Sequence, residues 1–237
     1  MTESKVALVT GACGGIGSAA VMAFADAGFD VVGADRERGT DVAVDVGTPA
    51  GAREAVAAAL ARGTLAAVFT AHGVTARSLG DGPVATCTDE AWNAVLDGNL
   101  RSTFLVCREA VPRLIEAGGG AIVTLGSVLG LVGGDEDFDT AAYAASKAGI
   151  VGLTRAIAVR HARDGVRANV IAPGVIETPL SSRAQNDARI RGRLRDLQPL
   201  TGDLGRPEDV ARAAVYLAQA EFVTGVVLPV DGGWTAK

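Results

Sequence analysis

The sequence predicts an α/β fold, a single doubly wound domain of about seven parallel strands with helices on both faces. Short β-branched runs alternate with alanine-rich stretches of helical length along the whole chain. The runs are apolar at successive positions, as strands covered by helices on both sides must be. The first run also ends in a glycine-rich turn that leads straight into a helix-compatible segment.

Strands are expected at residues 6–10, 31–35, 66–70, 121–125, 168–172 and 225–229, with a further strand-like piece just before Asp45. Helices are expected to start near Gly15, Ala50, Thr88, Thr140 and Arg206. No linker, low-complexity block or internal repeat divides the chain, so residues 1–237 read as one domain. Residues 177–204 break the rhythm. They are polar, arginine-rich and without a strand, and they read as a lid over one edge of the sheet.

Composition narrows the function. The 237 residues are 49% hydrophobic, 21% charged and 4% aromatic, with net charge −5. A mildly acidic chain is poorly suited to nucleic acid or an anionic membrane. No apolar run reaches the roughly 18 residues of a membrane span. The N-terminus moves directly into a strand-like segment without a signal peptide, so a cytoplasmic protein is expected. Cys13, Cys87 and Cys107 have neither metal-ligand nor disulfide spacing, and no metal site is expected.

The first strand ends in Thr10-Gly11-Ala12-Cys13-Gly14-Gly15-Ile16-Gly17. Glycines there let the backbone turn tightly and approach a pyrophosphate seated on the helix N-terminus, a Rossmann-type arrangement. Asp35, eighteen residues after Gly17, ends the second strand. A carboxylate there accepts hydrogen bonds from the adenosine ribose hydroxyls and repels a 2′-phosphate; the plainer reading is a loop residue or helix cap. Arg36 pulls the other way, towards a phosphate, so NAD is preferred to NADP without excluding it. Asp45 and Val46 are candidates to hold the adenine, by its amino group and by an apolar wall.

Tyr143-Ala144-Ala145-Ser146-Lys147 places a phenol and an ammonium four apart on one helix face. A phenol with a pKa of about 10 is a poor base at neutral pH. A nearby ammonium and an oxidised nicotinamide both favour the phenolate. Ser127, just after the strand at 121–125, is placed to hydrogen-bond a substrate hydroxyl or carbonyl. By itself a tyrosine–lysine pair at this spacing is ordinary on helices.

Taken together, these segments resemble the short-chain dehydrogenase/reductase family along essentially the whole chain. Thr10-Gly11-x-x-x-Gly15-Ile16-Gly17 is similar to its nucleotide motif, Tyr143-x-x-x-Lys147 to its catalytic motif, and Ser127 to its catalytic serine. Asn99 falls where the family carries an asparagine that supports a proton-relay water. Pro173-Gly174 with Thr178 is similar to the segment that binds the nicotinamide end. The resemblance implies reversible hydride transfer between a secondary alcohol and its ketone. Tyr143 would be the general acid/base, Ser127 would orient the oxygen, and Lys147 would lower the Tyr143 pKa and hold the nicotinamide ribose. Ile176 would contact the carboxamide through its backbone and Thr178 through its hydroxyl. Gly14 stands where NADP-dependent relatives often carry a basic residue, which supports NAD. The resemblance also implies a homotetramer or homodimer. A 3-oxoacyl thioester reductase using NADPH and a cis-dihydrodiol or polyol dehydrogenase are the alternatives. An NAD-sensing regulator without turnover is disfavoured, because Ser127, Tyr143, Lys147 and Asn99 are all present.

Three features depart from the family. Thr70-Ala71-His72-Gly73 replaces Asn-Asn-Ala-Gly, keeping Gly73 by the cofactor, and His72 either touches the cofactor ribose or simply packs. Ser127 and Tyr143 are sixteen apart, a few more than usual, with four carboxylates in residues 135–139. That loop either recognises a cationic or polyhydroxylated substrate or, more simply, is a solvated loop with Asp139 capping the next helix. The lid carries Arg183, Arg189, Arg191, Arg193 and Arg195. Guanidinium forks suit anions, the simpler reading again being a solvated face. Loop and lid can also pair electrostatically.

Overall fold

The computed structural model describes residues 4–236. Residues 1–3, read above as leading into a strand without a signal peptide, and Lys237 lie outside them. Seven strands form one all-parallel sheet in the order β3-β2-β1-β4-β5-β6-β7. They are β1 (Lys5–Thr10), β2 (Asp30–Asp35), β3 (Val42–Ala43), β4 (Thr64–Thr70), β5 (Gly120–Leu125), β6 (Val166–Pro173) and β7 (Val227–Val230). The expected α/β architecture is therefore present, with the strand-like piece before Asp45 as the short edge strand β3.

Alternation along each strand feeds two cores at once. Val6 and Leu8 of β1 face α2 (Pro49–Leu60), α4 (Ser102–Glu116) and α5 (Ala141–His161). Ala7 and Val9 face α1 (Gly15–Asp26) and α8 (Pro207–Gln219) on the other side. Local chemistry sets the helix starts. Thr48 caps α2 by accepting from Gly51 N at 3.0 Å, with Pro49 in the first turn. Thr88 caps α3 (Asp89–Val95) by accepting from Ala91 N at 3.1 Å. The segment from Thr88 then runs on through a π-helical turn, Leu96–Arg101, into α4. Such widened turns interrupt a helix and re-aim its side chains; this one holds Asn99 fully buried.

Strand order reverses at β1, which has β2 on one side and β4 on the other. Crossovers leave in opposite directions there, opening a crevice at the carboxyl ends of the strands. The glycine turn after β1 and the loop after β4 form its two lips.

The strandless excursion closes on itself at its base. Glu177 N donates to Gly205 O and Gly205 N to Val175 O, both at 2.9 Å. Between them lie α6 (Ser182–Asn186) and α7 (Ala188–Leu197). Ile190 and Leu194, four apart on α7, are fully buried, which leaves its arginines on the opposite side.

Two expectations about residues 135–139 are corrected here. The loop is not simply solvated: Asp137 is fully buried, and its carboxylate accepts from both Arg189 and Arg193. Arg193 also pairs with Asp135, and Arg189 with Glu136 at 3.3 Å. The hydrogen bond from Arg193 holds the Asp135 carboxyl below its ordinary pKa. Acidic loop and basic helix thus answer each other as a latch. Nor does Asp139 cap α5. Thr140 occupies the N-cap without a side-chain bond. Ala141 N donates to the Gly82 carbonyl at 2.9 Å, and the next two N–H groups are taken by Asp81, whose Oδ1 accepts from Ala142 N at 3.0 Å and Oδ2 from Tyr143 N at 3.1 Å.

Asp137→Asn removes the charge on which two guanidinium groups converge. It should cost about 1–3 kcal/mol, read as a melting temperature lower by about 2–4 °C per kcal/mol. Glu136→Gln, with its side chain 83% exposed, should move the melting temperature by less than about 1 °C.

Candidate active site

A cleft of about 550 Å³ opens above the carboxyl ends of the central strands. It brings together Gly15, Ile16 and Gly17 from the glycine turn, Gly73 from the loop after β4, and Ser127 after β5. Tyr143 and Lys147 from α5 join them, with Pro173, Gly174, Ile176 and Thr178 after β6. Gly11, Asn99, Asp35, Asp45 and Val46 do not line it.

The turn requires glycine at Gly11 and Gly17. Gly11 has a φ of +72°, and a Cβ there would lie 2.6 Å from His72 N. A Cβ on Gly17 would lie 1.9 Å from the Gly11 carbonyl oxygen. The α1 N-cap, Gly14, makes no side-chain bond, so the first N–H groups of α1 have no side-chain cap. Asp35 stands beside this turn: one carboxylate oxygen accepts from Cys13 N at 3.0 Å and the other from Glu37 N at 3.2 Å. An uncapped helix start with a carboxylate at the next strand end fits a dinucleotide, pyrophosphate at the turn and ribose by Asp35. Asp45 is exposed and accepts from Gly47 N at 2.8 Å. Val46, beside it, packs into the core with α2 and does not line this cleft.

Asp81 fixes the first turn of α5, which holds Tyr143. Further along the helix, Thr154 Oγ1 meets Thr124 Oγ1 of β5 at 2.8 Å. Lys147 is buried, and its Nζ donates to the Leu125 carbonyl at 2.8 Å. Burial pushes its pKa down to about 8. Burial raises the Tyr143 phenol, and the Ser127 side chain acts in the opposite direction. The Lys147 charge is not among the causes acting on the phenol in this arrangement. The ammonium lies 5.6 Å from the phenol ring centroid, and the Leu125 carbonyl takes its hydrogen bond. Ser127 Oγ accepts from Leu129 N at 3.2 Å and starts a 3₁₀ turn, Val128–Gly130.

Asn99 sits behind the cleft. Its Oδ1 accepts from Val74 N at 2.7 Å, and its Nδ2 donates to Val74 O at 3.1 Å and Ser146 Oγ at 3.0 Å. It clamps the loop after β4 to α5, and Gly73 packs against both Asn99 and Lys147.

His72 lines the cleft, and its ring is held by two hydroxyls. Its Nδ1 meets Thr10 Oγ1 at 2.5 Å and its Nε2 meets Ser102 Oγ at 2.8 Å. Ser102 gives its own hydrogen to the Gly98 carbonyl at 2.8 Å. Nε2 therefore carries the imidazole proton, and Nδ1 accepts from Thr10. Burial, then the charge of Lys147, pushes the ring down to about 3, so it is neutral at working pH.

Two positioning residues escaped the sequence reading. Asp81 is one. Gln198 is the other: its Oε1 accepts from Val175 N at 2.5 Å, and its Nε2 donates to Asp203 O at 2.8 Å. A Cβ on Gly174 would lie 2.2 Å from that Oε1, so Gly174 is the space Gln198 needs.

A family model described as Enoyl-(Acyl carrier protein) reductase matches residues 11–235. Cis-4-hydroxycyclohexanecarboxylate dehydrogenase of Sinomonas cyclohexanicum is 37% identical, across 98% of this chain and 97% of its own. D-threitol dehydrogenase of Mycolicibacterium smegmatis is 36% identical, across 99% and 94%. Among solved structures, a putative NAD(P) dependent gluconate 5-dehydrogenase from Beutenbergia cavernae, with NADP bound at low occupancy, superposes with a TM-score of 0.88. It is 32% identical, across 100% of this chain and 98% of that one. With a cleft that gathers serine, tyrosine and lysine beside a glycine turn, and with relatives matched from end to end, the chain belongs to the short-chain dehydrogenase/reductase family and is an oxidoreductase acting on CH–OH groups with a nicotinamide cofactor.

Proposed function

We propose that the chain is one catalytic domain, residues 1–237, that interconverts a secondary alcohol and its ketone with NAD preferred to NADP. The observation that carries this reading is the meeting of Ser127, Tyr143 and Lys147 in one cleft with the glycine turn. The bound nicotinamide supplies the hydride acceptor or donor. Tyr143 gives its proton to the carbonyl oxygen during reduction and takes it from the hydroxyl during oxidation. Ser127 Oγ holds that oxygen in place. Lys147, charged below about pH 8, holds the nicotinamide ribose and favours the phenolate once its ammonium turns towards it. Asn99 acts as a positioning residue for the loop at Val74 and for Ser146. Ile176 keeps its N–H for the carboxamide while its carbonyl accepts from Ser181 Oγ at 2.5 Å.

Asp35 supports the NAD preference. A second phosphate on the ribose would face this carboxylate, and Gly14 offers no cation to offset it. The same pair counts against an NADPH-dependent 3-oxoacyl thioester reductase. We place the protein in the cytoplasm, with the nicotinamide nucleotide pool, as a homodimer or homotetramer. Half-exposed Phe104 on α4 and exposed Val159 on α5 support helix-to-helix assembly.

Tyr143→Phe should reduce turnover of secondary alcohols about 10²–10⁴-fold while leaving NAD binding, measured by calorimetry, within about twofold. Equal turnover in the variant overturns the assignment. Because the phenol is raised, it is protonated at neutral pH. Oxidation should therefore accelerate as pH rises through the neutral range, whereas reduction should hold a plateau there and slow only where the phenol ionises on the alkaline side, which initial rates in both directions will check. Asp35→Ser should raise kcat/KM for NADP relative to NAD by about tenfold or more, equivalent to about 1.4 kcal/mol.

A further inference from the structure

We propose that Arg77 and Arg183 form a carboxylate-binding site in the substrate half of the cleft, so that the substrate is an anionic hydroxy or keto acid with an apolar skeleton. The inference rests on reading the cleft as the site of a secondary alcohol or ketone.

The cleft is one-signed. Its charged lining residues are Arg77, Lys147 and Arg183, and no carboxylate lines it. Lys147 is engaged with the Leu125 carbonyl beneath the catalytic group. The two arginines belong to the other side, where the loop at 135–139 meets α6. They differ from the remaining arginines of the excursion that have partners. Arg189 and Arg193 converge on Asp137, and Arg191 pairs with Asp203 at 2.9 Å. Among the described residues, Arg77 and Arg183 make no ion pair.

Their partners are neutral. Arg77 donates one Nη to the carbonyls of Asp137 at 3.2 Å and Asp139 at 3.1 Å. Arg183 donates to the same Asp137 carbonyl. One backbone oxygen therefore holds two guanidinium groups side by side. Carbonyl dipoles orient the forks without cancelling their charge. Burial, then the charge of Arg183, lowers the Arg77 pKa, while the nearby carboxylates of Asp81, Asp139 and Asp137 act in the opposite direction. The acidic loop thus works in an unexpected way. Asp135, Glu136 and Asp137 give their carboxylates to the latch, and the Asp137 and Asp139 carbonyls hold two arginines that line the cleft.

The remaining wall is largely apolar, with hydroxyls of Thr75, Thr140 and Ser182 among it. Val128, Leu129, Leu180, Phe138 and Trp234 line it, with the two aromatic rings edge to face at 5.0 Å. Such a cleft has two polar poles, Ser127 with Tyr143 and the guanidinium pair. It takes a molecule with a carbinol at one end, a compact anion at the other and a hydrocarbon body between. A planar carboxylate matches a guanidinium fork by two parallel hydrogen bonds.

Calorimetry on the NAD-loaded enzyme tests this, with cyclohexanecarboxylate and the neutral cyclohexanecarboxamide as probes. The carboxylate should bind at least about tenfold tighter. That ratio should fall to within about twofold in the Arg77→Gln/Arg183→Gln double variant and survive in part in Arg77→Lys, which keeps the charge and loses the fork. NAD affinity and melting temperature confirm that each variant is folded; if the double variant is not, the ratio in Arg77→Lys and in Arg183→Gln decides. Equal binding of the two probes overturns the proposal, as does a ratio that survives the substitutions. Inorganic phosphate binding through the same arginines more tightly than the carboxylate also overturns it. The catalytic reading is judged separately, by loss of alcohol oxidation in Tyr143→Phe, so either conclusion can fail without the other.

Discussion

The geometry of the site depends on one carboxylate. Asp81 reaches from the loop after β4 and accepts from the N–H groups of Ala142 and Tyr143. The N-terminal N–H groups of a helix must find acceptors, and a negative charge there also meets the positive end of the helix dipole. Because Tyr143 lies in that first turn, the cap that satisfies α5 also fixes the backbone of the phenol. The Thr124–Thr154 contact holds the same helix to β5 further along. Lys147 lies between these two anchors, and Gly130 packs so closely that a Cβ there would meet the Ala148 N and Lys147 C atoms at 2.8 Å. Tyrosine, lysine and serine thus sit on elements locked to one another.

What was legible in the sequence is what local chemistry determines. Apolar runs at strand length became the sheet, and Thr88, read as a helix start, caps the helix it precedes. The glycine turn was legible because only glycine tolerates the Gly11 backbone and the approach of Gly17. Even the excursion at 177–204 has its expected limits, since the bridge between Ile176 and Gly205 closes it.

The remainder was hidden because it depends on partners far apart in the chain. Asp139 adjoins α5 in sequence, yet the cap comes from 61 residues upstream of Ala142. Asp137 reads as one more charge in a surface loop until Arg189 and Arg193, over fifty residues later, fold onto it. Gln198 carries no motif at all; only the missing side chain of Gly174 records its presence. The ionisation of Tyr143 is likewise a property of burial and of where the Lys147 ammonium points, neither of which spacing specifies.

His72 stands where its family usually has alanine, and it does not stand alone. Its two ring nitrogens join the end of β1, through Thr10, to the start of α4, through Ser102. Each hydroxyl has a set role, one giving a proton to the ring and the other receiving from it. Positions 10, 72 and 102 therefore form a single unit of exchange. A chimera that imports a relative's loop after β4 without its partners at 10 and 102 strands the Thr10 hydroxyl in the interior, whereas all three residues can move between scaffolds as a set.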